Sequence, residues 1–184
     1  MKKVLSTTVF LFTLVLSFAQ PAAKIIVIVK AGQFTMQKIN ITNGWKFAPV
    51  GKALGTINDR KRPGFNTTHT YDDFGIVLFE KNKSDKVGTG ILSEVQFYFA
   101  PMDTTTVSPK GLFTGKMQIE KLKISSSLTW ADVKESLKDF ELTDSYMEHN
   151  FRLAYKGLYF YFLFNDEETT LRKISIGKDM RDKK

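Results

Sequence analysis

Cysteine is absent from the 184 residues, which leaves no disulfide framework, no thiolate nucleophile and no cysteine-held zinc. Histidine occurs twice, at His69 and His149, and neither stands in an H-x-x-x-H spacing. That pattern would have been needed to read a helical metal site. There is no G-x-S-x-G elbow and no phosphate-cradling glycine loop. A membrane-crossing run is missing as well. The apolar stretch from Val4 to Leu16 covers thirteen residues and is broken by Ser6, Thr7, Thr8 and Thr13, against about 20 for a spanning helix. These gaps set aside the familiar hydrolase, kinase and metalloenzyme classes. The expectation is a protein without metal or cofactor, and not an enzyme, in which His69 and His149 are structural.

What is present begins with an export signal. Lys2 and Lys3 precede the apolar stretch, and Ser17-Phe18-Ala19 closes it with small residues, the three parts of a cleavable secretory leader. Cleavage is expected between Ala19 and Gln20, with Ala22 or Ala23 as the alternative, giving residues 1–19 as signal peptide. The destination is the periplasm or the exterior, and cysteine-free export suits a bacterial periplasm. A hydrophobic share of 42% and an aromatic share of 13%, with sixteen Phe, exclude disorder, because disordered chains are poor in such residues. Removing Lys2 and Lys3 leaves 25 basic against 19 acidic residues, a net charge of +6. Outside the cytoplasm such a balance serves solubility, or favours an acidic protein partner or an anionic envelope surface over nucleic acid.

An internal repeat organises the rest. Phe34, Met36, Ile39, Ile41, Val50 and Leu54 match Met117, Ile119, Leu122, Ile124, Val133 and Leu137 at a constant offset of 83. Gly75-Ile76 faces Gly157-Leu158 at 82, and Leu92, Val95 and Phe97 face Leu171, Ile174 and Ile176 at 79. The order of the matches, more than any one of them, indicates duplication. In each half an alternating stretch shifts phase, at Lys121 in the second, and reads as one bulged strand or two short ones. A helix follows. Thr129 with Asp132 makes an N-terminal cap ahead of Trp130, Val133 and Leu137; in the first half Pro49 suits the first turn and Gly55 the stop. Two strands close each unit, Phe74 to Glu80 with Ile91 to Phe99, and Leu158 to Phe164 with Thr170 to Gly177. Ile25 to Val29 supplies a leading strand.

The fold class is therefore α+β: two β(β)αββ repeats forming antiparallel sheet with both helices packed on one side. Residues 20–99 form the first repeat with its leading strand, 100–110 a linker, and 111–184 the second repeat with a basic tail. A continuous sheet shared by both units is expected over two separate cores, because one unit of about 65 residues has a marginal core; the oligomeric state is open.

Arg60, Lys61 and Arg62 form the sharpest basic cluster, in a loop read over Asn58 to Gly64 between helix and strand. A loop on a rigid frame is where binding residues collect, so these three are the candidate binding residues; solvation is the plain alternative. Lys178, Arg181, Lys183 and Lys184 load a tail read as frayed. Asp166-Glu167-Glu168 lacks the D-x-D-x-D-G ligand order of a calcium loop and reads as a solvated hairpin tip. Asp72-Asp73 precede a strand and point to opposite faces. In Leu158 to Phe164, Leu158, Phe160, Phe162 and Phe164 share one face and Tyr159, Tyr161 and Leu163 the other. That pattern reads as a core strand covered on one side, with a carbohydrate platform as the alternative.

The segments Phe113-Thr114-Gly115-Lys116-Met117-Gln118-Ile119, Thr129-Trp130-Ala131-Asp132-Val133 and Tyr155-Lys156-Gly157-Leu158-Tyr159-Phe160 together resemble uncharacterised exported bacterial domains, some of them found beside secreted toxins. The leader's ending, Phe18-Ala19-Gln20, is similar to those of Bacteroidota-type exported proteins. In architecture, tandem strand-helix units also resemble the β-lactamase inhibitory protein. The resemblance implies an exported non-enzymatic binding protein, an inhibitor or immunity protein for an acidic protein. The alternatives are an envelope structural or lipid-associated component and, third, an unrecognised enzyme.

Overall fold

In the computed structural model, residues 24–61, 66–83, 87–102, 107–143, 148–179 and 181 are described. The leader, its cleavage site, Arg62, Thr104 to Thr106, Lys183 and Lys184 lie outside the described residues. Alternation makes the first strand: Ile26–Lys30 (β1) buries Val27 and Val29 on one face and turns Ile26, Ile28 and Lys30 to the other. Two tight hairpins follow, to Gln33–Met36 (β2) and Ile39–Asn40 (β3). Their turn residues Ala31, Gly32, Gln37 and Lys38 all have positive φ, the backbone twist that suits a two-residue connection. The same pair recurs as Lys116–Ile119 (β8) and Leu122–Ile124 (β9). The phase shift at Lys121 is thus a turn between two short strands.

Each pair leads into a helix, Phe47–Leu54 (α1) and Trp130–Ser136 (α2). The Thr129–Asp132 capping box is fully formed, and Gly55 ends α1 with φ 82°. Four strands then follow each helix where two were expected. They are Asp59–Lys61 (β4), Asn66–Tyr71 (β5), Ile76–Lys81 (β6) and Leu92–Tyr98 (β7) in the first half. In the second they are Glu141–Thr143 (β10), Asn150–Tyr155 (β11), Leu158–Phe164 (β12) and Leu171–Lys178 (β13). The expected loop over 58–64 is overturned in part, since Asp59–Lys61 pairs along β5 as a strand. The cause is β5, whose Thr67, Thr68, His69 and Thr70 are buried despite their polarity; its β-branched threonines fit a pleated surface.

The eight later strands form one sheet shared by both halves, in the order β10-β11-β12-β13-β7-β6-β5-β4, and the five others a second sheet, β3-β2-β1-β8-β9. Pairing is antiparallel everywhere except between β1 and β8. That exception follows from a two-fold relation between the halves. At the centre of the large sheet Gln96 pairs with Ser175, residues equivalent at the offset of 79. At the centre of the small sheet Ile28 faces Thr35 on one side and Gln118 on the other, equivalent at 83. A single strand on such an axis cannot run antiparallel to both neighbours.

Both helices and the small sheet cover one face of the large sheet. Phe47 of α1 stacks on His69 at 4.2 Å, Trp130 of α2 stacks on Phe151 at 3.8 Å, and Phe34 of β2 meets Phe97 of β7 edge-on at 6.5 Å. One continuous buried cluster joins all of them. The expected linker is no free tether at its far end. Lys110 N donates to Asp72 Oδ1 at 2.9 Å, Phe113 N donates to Tyr98 O at 2.6 Å, and the Phe113 ring packs on Phe97 and Phe99.

Candidate functional site

Register separates the large sheet into two chemically different faces. The covered face carries Ile76, Leu78, Val95, Phe97, Phe160, Phe162, Ile174 and Ile176, all essentially inaccessible to solvent. The other face is polar and aromatic. Tyr159, Gly177 and Glu94 lie in line across β12, β13 and β7. Tyr159 lies across the glycine, close enough that a Cβ there would come within 2.2 Å of its ring, and its hydroxyl donates to Glu94 Oε2 at 2.6 Å. Burial and the Glu94 charge push the Tyr159 phenol well above its usual range. Arg152 spreads over the rings of Tyr159 and Tyr161 at 5.1 and 5.3 Å. The core-strand reading of Leu158 to Phe164 thus describes one face, and the tyrosines of the other are tied to one another and to charge.

His69 is placed where the sequence could not show it. Its Nε2 lies 2.8 Å from Glu80 Oε2, both side chains being almost wholly buried, and Gly90 N donates to Glu80 Oε1 at 2.5 Å. Strand register sets β6 against β12 at an offset of 84, so Ile76 stands where Phe160 does and not, as the sequence match implies, where Leu158 does; β5 lies against β11 at 82. His69 and Glu80 therefore stand where the second half has Phe151 and Phe164, whose rings lie 6.1 Å apart beside Trp130. Phe47 stacks on the imidazole at 4.2 Å.

Of the candidate binding residues, the backbone puts Arg60 opposite His69 and Lys61 opposite Thr68, on β4 at the open end of the large sheet. The tail divides. Arg181 is held by Asp179 at 2.7 Å and Glu141 at 3.2 Å, so it is anchored where a frayed end was expected, and its hydrogen bonds to Asp179 hold that carboxyl below its usual range. His149 Nδ1 lies 3.4 Å from Glu168. Among the described residues no group of three His, Asp or Glu is placed to hold a metal.

Lys178, the tail's other described cation, belongs to a cleft of about 550 Å³ where the two halves meet. The first half supplies Gly32, Trp45, Lys81 and Leu92, and the second supplies Lys156, Tyr159 and Lys178. Its floor is built by backbone geometry. Trp45 is held at φ 51°, a conformation that costs a bulky residue of order 1–3 kcal/mol. It is fixed there by its N–H to Ile41 O at 2.9 Å and its carbonyl accepting from Leu92 N at 2.6 Å. Its ring packs edge-on to Phe34 at 6.1 Å. Gly32 permits the close approach, since a Cβ there would lie 2.7 Å from Lys156 Cβ. Three lysines line this one cleft, and none of them forms an ion pair with a described carboxylate. Lys156 instead stands 5.0 Å over the Tyr155 ring. The lysines come from residues 81, 156 and 178, and no local pattern in the sequence links them.

Two solved structures resemble the chain in fold. A DUF4309 family protein, YjgB, from Bacillus subtilis is 11% identical, with a TM-score of 0.45 over 80% of this chain and 88% of that one. A cysteine-rich secretory protein, SAV1118, from Staphylococcus aureus is 8% identical, with a TM-score of 0.38 over 74% of this chain and 43% of that one. No curated protein sequence matches. A domain family of unknown function, DUF7738, matches residues 26–134, from β1 into α2; that is more than half of the chain, and the protein belongs to this family.

Proposed function

We propose that the protein is an exported, non-enzymatic binding protein, an inhibitor or immunity protein whose partner presents acidic groups. The observation that carries this reading is the set of Lys81, Lys156 and Lys178 around one cleft with no carboxylate paired to any of them among the described residues. Like charges gathered without counter-ions raise the local potential and steer an oppositely charged partner to the surface. Arg60 and Lys61 of the edge strand β4 add residues of the same sign. The resemblance to exported, toxin-associated domains fits this reading without adding a partner.

Capture from a periplasmic extract of the source cell tests it. Wild-type protein is expected to retain an acidic protein at 50 mM salt and release it at about 300 mM, over which range the Debye length shortens from roughly 14 Å to 6 Å. The K81E/K156E/K178E variant is expected to lose it, and R60A/K61A/R62A to slow association. Capture that is indifferent to both salt and these charges overturns the reading.

One observation favours an envelope-associated role as the second reading. Ile26 and Ile28 on the outer face of β1 are 46% and 43% exposed, and Lys116 and Lys123 border them. An apolar strip with a basic rim suits an anionic lipid surface. Co-sedimentation with phosphatidylglycerol vesicles that I26S/I28S abolishes would select this reading over the first.

A further inference from the structure

The charge of the cleft does not come with the duplication. Lys81 has Asn165 at its counterpart position, at the offset of 84, and Lys178 has Phe99, at 79. Lys156 stands at φ 47° on a two-residue turn between Tyr155 and Leu158, where the first half has Asp72 to Gly75 between Tyr71 and Ile76. The other turn thus carries two carboxylates and no lysine. The three lysines are particular to the cleft and are not a basic background repeated in both halves.

The hydroxyl groups of the lining are already committed. Thr42 Oγ1 donates to Asn40 Oδ1 at 2.5 Å, Ser93 Oγ to Phe79 O at 3.2 Å, and the Tyr159 hydroxyl to Glu94. Among the described residues the lining holds no arginine and no carboxylate. Arginine's planar fork fixes the orientation of a carboxylate, whereas a lysine is a point charge on a flexible stem. Recognition in this cleft therefore follows the amount of negative charge that enters more than its geometry.

We propose that the cleft receives an acidic run of the partner protein, three or more carboxylates in succession on a flexible segment, and reads its charge rather than its sequence. This rests on the acidic-partner reading above and specifies the element that enters. Lys81 comes from the first half and Lys156 and Lys178 from the second. Successive side chains of an extended segment point to opposite sides, so adjacent carboxylates face lysines of both halves. Like charges gathered around one concave site repel one another until anions arrive, and a run delivers several at once. A volume of about 550 Å³ falls within the roughly 300–1,000 Å³ of ligand pockets and admits a short length of chain, where a flat acidic face would meet only the rim.

The test uses full-length mature protein at 50 mM salt and four synthetic peptides, titrated calorimetrically. They are acetyl-Gly-Glu-Glu-Glu-Gly-amide, its all-D enantiomer, acetyl-Gly-Gln-Gln-Gln-Gly-amide and the spaced acetyl-Glu-Gly-Gly-Glu-Gly-Gly-Glu-amide. The first is expected to bind and its enantiomer to match it within 3-fold, because charge has no hand. The glutamine peptide is expected to bind at least 10-fold more weakly and the spaced peptide at least 3-fold more weakly. The K81Q, K156Q and K178Q variants, each verified by its melting transition, are expected to weaken the first peptide by 3-fold or more. An enantiomer that binds 10-fold more weakly overturns recognition by charge, and a spaced peptide that binds equally overturns the need for a run. Binding that none of the lysine variants alters overturns the cleft as its location. If no peptide binds while the captured partner still leaves with salt, the acidic run is overturned and the partner reading survives.

Discussion

Single residues carry the clearest differences between the two halves. His69 and Glu80 occupy the positions of Phe151 and Phe164, so one backbone supports a buried polar pair in one copy and stacked rings in the other. Breaking a buried hydrogen-bonded pair on one side leaves the remaining group desolvated and unmatched. Glu80→Ala is expected to cost about 3–5 kcal/mol, read as a lowered urea midpoint. His69→Phe together with Glu80→Phe is expected to recover more than half of that loss, because the second half shows rings fitting this environment. A double variant no better than Glu80→Ala would mean that the halves are not equivalent here. This pair was not legible in the sequence. Asn66 to Tyr71 offers no apolar alternation, and Thr-Thr-His-Thr reads as a surface stretch until its neighbours are known. The cleft was hidden for a related reason, since Gly32, Lys81, Lys156 and Lys178 meet only through the joining of β7 to β13.

At the scale of elements, what could be read was what local chemistry decides. The Thr129–Asp132 cap, Pro49 in the first turn of α1 and Gly55 at its end each act within one helical turn, and all three stand as expected. The inward alternation of β12 was equally plain. Strand number was not, because β4 and β10 are three residues long and gain their pairing from partners further along the chain. Gly177 shows how one strand depends on another: its missing side chain is what lets Tyr159 cross to Glu94. Gly177→Ala should force the ring aside and cost about 1–3 kcal/mol as an overpacked site. In a chain already bearing Tyr159→Ala the same change should cost much less. Additive losses in this cycle, measured by chemical denaturation, would show that the ring does not need the glycine.

For the molecule as a whole, the shared sheet and continuous core imply that neither half unfolds alone. A single transition, coincident by near- and far-ultraviolet circular dichroism, is expected at neutral pH. Its midpoint should decline at alkaline pH. Burial pushes Tyr71 and Tyr98 from 10.0 up to about 12, and Tyr159 higher still. Above pH 10 the unfolded chain gives up protons that the folded chain keeps, so this contribution is whole below pH 10 and is lost as pH rises through about 12. Lys173, lowered by burial, works in the opposite sense as one group against three. Urea midpoints at pH 8, 10 and 11 check the sign, and Tyr98→Phe should flatten the decline. The duplication itself has a limit set by β1. A lone strand lying on the axis between two equal halves gives each half a different neighbour and a different way into its first hairpin. On the proposed binding role, one polypeptide offers one such cleft rather than two, and a saturated complex should contain the components in equal numbers.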